Sequence, residues 1–516
     1  MTGSTDAAAP PSVADLLRLA ARQHPDSVAV DGDGRRLTHA ELAESSNRVA
    51  TALLARGLES GDRIAYLDRN GTEYWEVYLG AMKAGIVLVP LNFRLGRDEL
   101  RWALADSGAR LLVVGQEFAE TAAAVTVPAL TIGVDGPGGF AEWVAGGRDE
   151  DPRRDVGGGD CVQLIYSSGT TGRPKGVLIG SAQLAWATAA FSACFDVDHH
   201  SRSLVPIPYY HVAGGGWAMI TLTKGGTVIQ SREPTAATIF DQLVRYRATH
   251  AAMVPAVMQV LTASPEAATA DFSALRQLVY GGSPISEQLV RACIATFGAE
   301  LFQSYGLSET IGVTTLLGPA DHGGDLSKLR SAGRPVPGVR LEIRDAVTGA
   351  QVGAGVSGEV VVKAPGVTAG YWHRPEETAE AFTSDGYFRT GDVGYLDADG
   401  YLYLRDRIKD MIVTGGENVY PAEVESVLAG HPAVADVAVI GVPSDRWGET
   451  PLAVVVPRGP ELDVEELLDW ARQRMAHFKV PTAVVVAAQL PRNPSGKILK
   501  RELRQPYWVG RDRTVG

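Results

Sequence analysis

Hydrophobic and polar positions follow two alternating periods along the first part of the chain. Stretches such as "EYWEVYLGAMKAG" at residues 73–85 place apolar side chains at helical spacing and predict helices that face a core. Short apolar runs such as "IVLVPLN" and "RLLVVG" separate these stretches and predict buried strands. Because helices and strands alternate regularly, the pattern indicates an α/β fold built on doubly wound sheets.

The pattern changes twice further along the chain. Residues 331–404 hold short β runs and turns, which predict a small β-rich subdomain. After "RDRIKD" at residues 405–410 the alternation of helices and strands starts again. We therefore expect an N-terminal domain at residues 1–404, a hinge linker at 405–410 and an α+β C-terminal domain at 411–516.

Composition narrows the class of protein. The 516 residues are 45% hydrophobic and 21% charged, a balance that is typical of a folded globular protein. The net charge of −12 argues against a general nucleic-acid binder, which needs a basic surface to displace counterions from phosphates. Any phosphate is therefore expected to bind at a local site.

The first residues of the sequence and the cysteines suggest a cellular compartment for the protein. The first residues lack a basic stretch followed by an apolar core, and no uncharged run is long enough to span a bilayer. The three cysteines are too scattered for a zinc knuckle and too few for a disulfide scaffold. We expect a soluble cytoplasmic protein, and peripheral contact with a membrane stays open.

The stretch "YSSGTTGRPKGV" at residues 166–177 is the first candidate for chemistry. Backbone N–H groups and hydroxyls in such a loop can bind anionic oxygens, and Lys175 adds one positive charge. The spacing does not fit a Walker loop. Composition alone leaves a plain solvent-exposed turn as the alternative, because Gly, Ser and Pro are ordinary turn formers.

Two other motif matches fail on their context. "GAGVSG" at residues 353–358 has the glycine spacing of a dinucleotide-binding loop, but the strand follows the glycines where that motif requires a helix. It is therefore predicted to be a hairpin turn. "GLSET" lacks the second glycine of a nucleophile elbow, so no hydrolase signature is left.

The chain resembles the adenylate-forming (ANL) superfamily, which comprises acyl-CoA synthetases, peptide-synthetase adenylation domains and beetle luciferases. The resemblance rests on seven motifs in the family's order, which span residues 166–503: "YSSGTTGRPKGV", "PIPYYHVAGGG", "YGGSPIS", "QSYGLSET", "YFRTGD", "RDRIKDMIVTGGENVYPAEVE" and "PRNPSGKILKREL". Within the family, the segment around the linker is most similar to acyl-CoA synthetases of the fatty-acid type.

This resemblance implies a reaction in two halves. A carboxylate attacks the α-phosphorus of MgATP to give an acyl adenylate and pyrophosphate, and a thiol then attacks the acyl group. ATP, Mg²⁺ and CoA are thus the implied cofactors. Since an anion must approach a polyanion, catalysis is expected to depend on charge neutralisation and alignment.

The resemblance assigns the phosphate site as follows. The loop that binds the β and γ phosphates comprises Ser167, Ser168, Gly169, Thr170, Thr171, Gly172 and Lys175. Glu309 and Thr170 correspond to magnesium ligands, and a hard carboxylate oxygen suits that ion. Ser308 supplies a hydroxyl for the α-phosphate; its local alternative is a helix N-cap.

Further residues correspond to the family's nucleoside site. Tyr305 resembles the platform for adenine, and the surrounding positions are Gly281, Gly282, Ser283, Gln303 and Gly306. Asp392 resembles the carboxylate that accepts both ribose hydroxyls, and Arg407 the arginine that reaches ribose and phosphate.

The C-terminal motifs imply a mobile domain. Lys497 corresponds to the lysine that bridges the substrate carboxylate and the α-phosphate during adenylation. Lys409 corresponds to the hinge about which the small domain rotates before thiol attack. Gly415 and Gly416 would then let the pantetheine arm approach the backbone.

The acyl pocket is expected near the histidine of the second motif, His211, which in the family contacts the acyl group or gates the tunnel. The small residues after His211 favour an uncharged medium- or long-chain fatty acid or another hydrophobic acid. Three rival functions stay open: an acyl-AMP ligase that loads a carrier protein, an aryl-acid ligase or luciferase-like enzyme, and a non-catalytic nucleotide sensor.

Overall fold

The computed structural model describes most of the chain. The described residues are 11–32, 34–123, 127–133, 138–154, 156–167, 174–283, 285–323, 326–407, 410–414, 417–444, 446–492 and 498–509. Contacts divide the chain into two compact units, of which the first comprises Met1–Arg340 and Val362–Phe388 and the second Leu341–Val361 and Arg389–Gly516. The expected domain boundary at residue 404 and the hinge at 405–410 stay predictions.

The strands of the described residues are numbered β1 to β24 in chain order. They are Val28–Gly32, Arg35–Thr38, Arg63–Leu67, Val87–Pro90, Leu111–Gly115, Ala129–Ile132, Cys161–Ser167, Lys175–Gly180, Arg202–Val205, Thr227–Gln230, His250–Met253, Gln277–Gly281, Glu300–Tyr305, Thr315–Leu317, Arg334–Pro335, Arg340–Arg344, Gly358–Lys363, Phe388–Leu396, Leu402–Arg407, Ile412–Thr414, Glu417–Val419, Val434–Ser444, Gly448–Pro457 and Ala483–Val486.

The α-helices of the same residues are numbered α1 to α16. They are Val13–Gln23, His39–Ala55, Thr72–Ala84, Arg97–Ser107, Ala119–Ala122, Phe140–Ala145, Ser181–Ser192, Val212–Thr223, Ala236–Arg245, Pro255–Ala263, Glu287–Phe297, Ala320–Gly323, Pro375–Glu380, Pro421–Ala429, Val464–Arg472 and Lys500–Arg504. Short 3₁₀ turns occupy Gln116–Phe118, Pro265–Ala268, Ser308–Thr310, Leu326–Arg330, His477–Lys479 and Gln505–Tyr507.

The first unit contains a six-stranded sheet in the order β6-β5-β3-β4-β7-β8, parallel except for the β7–β8 pair. Because side chains of a strand alternate between its faces, β3 sends Ile64 and Tyr66 into one hydrophobic core and Ala65 and Leu67 into another. Both faces are thus covered, as parallel sheets require.

The first unit also contains a nine-stranded sheet in the order β15-β14-β13-β12-β11-β9-β10-β1-β2. The strands from β13 to β1 in this order are parallel, and β14, β15 and β2 pair antiparallel at the two edges. The carboxyl ends of β9, β11, β12 and β13 therefore lie at one edge of the sheet, the place where open α/β sheets bind ligands.

Helices join the two sheets of this unit through one core. Helix α3 is buried along nearly its whole length, and α2, α7 and α8 contribute to the same cluster. Helix α2 begins with a capping box, in which the Glu41 N–H donates to Thr38 Oγ1 and the Thr38 N–H donates to the Glu41 carboxylate. The start of α2 is thus set by the local sequence.

The second unit is built on a five-stranded sheet, with the order β21-β20-β23-β22 and β24 paired to β23. Helices α14 and α15 pack on one face of this sheet, through Val424, Leu428 and Leu467. Strands β16, β17, β18 and β19 form a four-stranded sheet in that order, mostly within the same unit. The predicted α/β class, with a large N-terminal and a smaller C-terminal body, is confirmed.

Candidate functional site

The stretch "YSSGTTGRPKGV" connects two antiparallel strands. Strand β7 ends at Ser167 and β8 begins at Lys175, and these two residues are paired across the hairpin. The Ser167 hydroxyl donates to the Lys175 carbonyl oxygen at 3.4 Å. The predicted phosphate-loop residues between them, Ser168, Gly169, Thr170, Thr171 and Gly172, lie outside the described residues.

The predicted nucleoside residues of the first unit follow two neighbouring parallel strands. Gly281 ends β12 beside Ser304 of β13, and Gly282 and Ser283 continue from it. A Cβ atom at Gly281 would lie 2.3 Å from the Ser304 carbonyl oxygen, so glycine is required here. Tyr305 ends β13, with Gln303 on the same strand and Gly306 directly after it.

A tight turn carries Ser308 and Glu309. The 3₁₀ turn Ser308–Thr310 is closed by a hydrogen bond of 2.8 Å from the Gly312 N–H to the Leu307 carbonyl. Leu307 occupies the N-cap position, so the alternative of Ser308 as a helix N-cap is wrong. Ile311 follows with a φ of 53°, a left-handed conformation that is uncommon for a β-branched residue.

Glu309 is held by one short segment at both its side chain and its backbone. The Tyr371 hydroxyl donates to Glu309 Oε1 at 3.0 Å, and the Thr368 N–H donates to the Glu309 carbonyl oxygen at 2.7 Å. The Lys175 Nζ lies 5.1 Å from the centroid of the Tyr371 ring. Tyr371 thus contacts both the carboxylate and the ammonium group of the predicted phosphate site.

Burial and the nearby Glu309 carboxylate raise the pKa of the Tyr371 phenol above its ordinary value. The hydroxyl therefore stays protonated at neutral pH and remains a hydrogen-bond donor. Sequence reasoning missed Tyr371 and Thr368, because their contacts join segments that are distant in sequence; Tyr371 and Glu309, for example, are 62 residues apart. The local signal was limited to an aromatic residue after a glycine in "AGYW".

His211 precedes helix α8, beyond the carboxyl end of β9. Its Nε2 is enclosed and has no hydrogen-bond partner among the described residues. Burial, with a further contribution from the Arg94 charge, lowers the pKa of His211 to about 4. At neutral pH the imidazole is therefore uncharged, which suits an apolar environment.

The glycines after His211 differ in their surroundings. A Cβ atom at Gly214 would lie 2.5 Å from the Pro208 carbonyl oxygen, and one at Gly215 would lie 3.1 Å from that of Tyr209. These two glycines allow α8 to pack closely on the preceding backbone. Only the position of Gly216 has open space within 4 Å, so less room is left for an acyl chain than we expected from three glycines.

The second unit carries the predicted ribose site. Asp392 lies on β18, is 7% exposed, and pairs with Arg407 of β19 across the antiparallel ladder. The ladder thus brings two predicted nucleotide ligands to neighbouring backbone positions. Lys409, Gly415, Gly416 and Lys497 lie outside the described residues.

Neither a metal-binding cluster nor a membrane-spanning helix is found in the part of the chain that the structure describes. Among these residues, no group of three or more His, Cys, Asp or Glu side chains is placed to hold a metal ion. No helix in the described part of the chain has the length and apolar character needed to cross a membrane.

The described part of the predicted site thus comprises a hairpin that carries a lysine, a carboxylate on a tight turn and two parallel strands that end in predicted nucleoside residues. Comparison with known proteins shows the family of the chain. The family model "AMP-binding enzyme" matches residues 17–372, and the model of its C-terminal domain matches residues 423–497. The chain belongs to the AMP-binding enzyme family.

Individual relatives match along nearly the whole chain. The fatty acid–[acyl-carrier-protein] ligase ScoC of Streptomyces coeruleorubidus is 41% identical over 96% of both chains. A feruloyl-CoA synthase of an Amycolatopsis species is 43% identical over 94% of this chain and 97% of its own. The crystal structure of ATP-bound MatB from Rhodopseudomonas palustris superposes with a TM-score of 0.88 at 32% identity, over 96% of this chain and 99% of the other.

These comparisons confirm the predicted enzyme class, an AMP-forming acyl-CoA synthetase of the adenylate-forming superfamily. ATP and CoA are substrates that the family uses. The assignment of individual site residues stays a prediction.

Proposed function

We propose that this protein is an AMP-forming ligase that joins a hydrophobic carboxylic acid to CoA. A carboxylate oxygen attacks the α-phosphorus of ATP, the bond to the bridging oxygen breaks and pyrophosphate leaves; the CoA sulfur then attacks the acyl carbon and AMP leaves. The observation that carries the proposal is the contact of Tyr371 with both Lys175 and Glu309. One tyrosine thus contacts both the cation proposed for the phosphates and the carboxylate proposed for a metal.

The first half-reaction requires that negative charge on the nucleotide be neutralised. We assign the phosphates to the loop from Ser167 to Lys175, with Thr170, Thr171 and Gly172 at its centre. The Ser308 hydroxyl is proposed to donate to the α-phosphate from the rigid 3₁₀ turn. Preorganised donors of this kind favour the transition state because they need no rearrangement during the reaction.

Glu309 fits a magnesium ligand. Its carboxylate is only partly buried and forms no ion pair with any described basic side chain, so its oxygens remain available to a hard metal ion. Mg²⁺ commonly takes one or two carboxylates together with substrate phosphates and water, so a three-residue cluster is not needed. When bound, the ion would neutralise part of the phosphate charge. Thr170 is proposed as a further oxygen ligand.

We assign the nucleoside to the residues that the resemblance to the adenylate-forming family indicates. Tyr305 would stack on adenine, with Gly281, Gly282 and Ser283 along the other face, and Gln303 and Gly306 beside them. Asp392 would accept the ribose hydroxyls, and Arg407 would reach ribose and phosphate. Gly281 and Ser304 are paired at the carboxyl ends of neighbouring parallel strands, which supports a ligand site at this edge of the sheet.

We assign the predicted C-terminal residues to the two half-reactions, adenylation and thioester formation. Lys497 would bridge the carboxylate and the α-phosphate during adenylation. Lys409 would act as the hinge for the second half, and Gly415 and Gly416 would line the path of the pantetheine arm. These roles follow the order of the motifs and the match of the C-terminal family model to residues 423–497.

The acid is proposed to be uncharged beyond its carboxylate: a medium- or long-chain fatty acid, or an aryl acid. The neutral imidazole of His211 supports this proposal, since it offers no charge to a second carboxylate. Fatty-acid and feruloyl ligases are both among the relatives. His211 is proposed to contact or gate the acyl group.

A carrier protein is the second candidate acceptor, because a relative of 41% identity is named for an acyl-carrier protein. We also propose a cytoplasmic location, where ATP and CoA are abundant. The three cysteines are free thiols, in accordance with a reducing compartment.

The test supplies purified protein and MgATP with fatty, cyclic and aryl acids, and with either CoA or a pantetheinylated carrier protein. Pyrophosphate release and the mass of the thioester are measured. We expect pyrophosphate release with hydrophobic acids and a thioester on CoA. If the thioester forms only on the carrier protein, the carrier protein and not CoA is the acceptor. If no acid causes the release of pyrophosphate, both candidates are refuted.

A further inference from the structure

Tyr371 is fixed to the hairpin that carries Lys175. Its backbone forms an antiparallel bridge with Val177 of β8, and the next residue, Trp372, donates its N–H to the Gly176 carbonyl oxygen at 2.8 Å. These contacts lie one and two residues beyond Lys175. The position of the Tyr371 ring relative to the start of β8 is therefore set by backbone hydrogen bonds.

The same segment is fixed to the turn that carries Glu309. Thr368 donates its N–H to the Glu309 carbonyl oxygen, and its hydroxyl donates to the Leu178 carbonyl oxygen at 2.6 Å. The Tyr371 hydroxyl adds the bond to Glu309 Oε1. Residues 368–371 thus connect β8 to the 3₁₀ turn at both backbone and side-chain level.

The Tyr371 side chain contacts two opposite charges, the Lys175 ammonium group with its ring and the Glu309 carboxylate with its hydroxyl. Lys175 and Glu309 form no ion pair with each other or with another described side chain. A direct ion pair would neutralise both groups and occupy the carboxylate with a cation that competes with a metal. The ring face attracts the ammonium group, and the hydroxyl satisfies one carboxylate oxygen without adding charge.

We propose that Tyr371 is a positioning residue of the phosphate site, which keeps Lys175 and Glu309 apart and orients both toward the nucleotide and its metal. This inference rests on the proposed function for the identity of that ligand. The hydroxyl bond to Oε1 fixes the carboxylate plane and leaves Oε2 for the ion. Tyr371 itself need not touch the nucleotide.

Two variants separate the two contacts. Tyr371→Phe keeps the ring beside Lys175 and removes the bond to Glu309, whereas Tyr371→Leu removes both. Magnesium is titrated at constant ATP, and ATP binding is measured by calorimetry in the absence of any acid. We expect Tyr371→Phe to raise the magnesium concentration for half-maximal binding about tenfold, the effect of losing one hydrogen bond to a charged group. Tyr371→Leu should raise it further.

Trp372→Phe is the matched control. It alters the neighbouring aromatic residue and removes a hydrogen bond of 3.0 Å from Trp372 Nε1 to the Asp106 carbonyl oxygen, but no contact to Glu309. A general loosening of the segment would affect both variants alike. The inference requires an unchanged magnesium dependence in Trp372→Phe, and equal shifts in both variants would overturn it.

A double-mutant cycle tests whether Tyr371 acts through the carboxylate. In the Glu309→Gln background, Tyr371→Phe should produce no further shift, because the charge that the hydroxyl orients is gone. A full additive shift would overturn the inference. The protein could bind ATP in a magnesium-dependent way that needs Tyr371 and yet activate no acid. That result would uphold this inference and refute the proposed ligase function. If the wild-type protein shows no magnesium-dependent ATP binding, both fail.

Discussion

Ser167 and Lys175 face each other across the antiparallel pair of β7 and β8. The two ends of the predicted phosphate loop are therefore fixed by a strand ladder whose other residues are mostly buried. Lys175 is the partly buried first residue of β8 and forms no ion pair with a described acidic side chain. Its charge should consequently serve the nucleotide and contribute little to the fold.

Lys175→Ala should raise the KM for ATP about tenfold or more, as expected when a charge-assisted contact to phosphate is lost. The KM for the acid should stay close to that of the wild type. Steady-state kinetics of pyrophosphate release provide both values. Lys363→Ala is the matched control, since Lys363 is exposed and its Nζ lies 5.6 Å from the centroid of another tyrosine ring, that of Tyr387. Equal effects of the two variants would contradict a phosphate role for Lys175.

Glu309→Gln should lower the rate of adenylation about a hundredfold or more, in line with the loss of a preorganised electrostatic group. The amide keeps the shape and can still accept from the Tyr371 hydroxyl, so the turn should remain intact. The measurement is the rate of pyrophosphate release against magnesium concentration. An unchanged rate at every magnesium concentration would exclude Glu309 as a metal ligand.

Lys497→Ala should separate the two half-reactions. A positive charge about 4 Å from the developing negative oxygens contributes about 4 kcal/mol at an effective dielectric constant near 20, or about a thousandfold in rate. Adenylation should therefore fall by hundreds-fold or more, whereas a preformed acyl adenylate should still react with CoA.

The matched control for Lys497 is Lys500→Ala. Lys500 belongs to the same basic segment but forms an ion pair of 2.9 Å with Glu425. Its replacement should leave adenylation within about threefold of the wild type, because its ammonium group is already paired with Glu425 within the second unit. If Lys497→Ala retains full ATP–pyrophosphate exchange, the bridging role is wrong.

His250 predicts a pH dependence of stability. Its side chain is 0% exposed, and burial, followed by the Arg276 charge, lowers its pKa to about 4 against weaker opposing effects of Asp196 and Asp198. Between pH 6.5 and 4 the unfolded chain gains a proton at this site and the folded protein does not. The free energy of unfolding should therefore fall as pH falls through this window, by up to about 1.4 kcal/mol per pH unit.

His250→Asn should remove this component. Denaturant unfolding of the wild type and the variant from pH 7 to pH 4 gives the difference in slope. The variant should be less sensitive to acid, even if it is less stable at pH 7 through loss of the 2.8 Å contact to Thr249 Oγ1. Parallel slopes for the two proteins would show that His250 does not titrate in this way.

Much of the fold could be predicted because local periodicity and local chemistry agree. Strand β3 and helix α3 follow directly from their apolar spacing, and helix α14 begins at Pro421 and ends before Gly430, as its sequence indicates. "GAGVSG" contains a turn at residues 354–355 and leads into strand β17, so the structure confirms that a strand and not the helix of a dinucleotide-binding loop follows it. Each of these features depends on neighbours in sequence.

The rest could not be predicted because it depends on long-range contacts. Nothing near Tyr371 in sequence indicates that its hydroxyl meets Glu309 or that its ring meets Lys175. The three glycines after His211 indicated space, whereas two of them serve close backbone packing. The left-handed conformation of Ile311 has no local signal either, since a β-branched residue disfavours it.

The central claim is that this chain activates a carboxylic acid as an adenylate, and ATP–pyrophosphate exchange without CoA tests it most directly. The account predicts exchange that depends on magnesium and on a hydrophobic acid and is lost in Lys497→Ala. No exchange with any fatty or aryl acid, in a protein that binds MgATP, would contradict it.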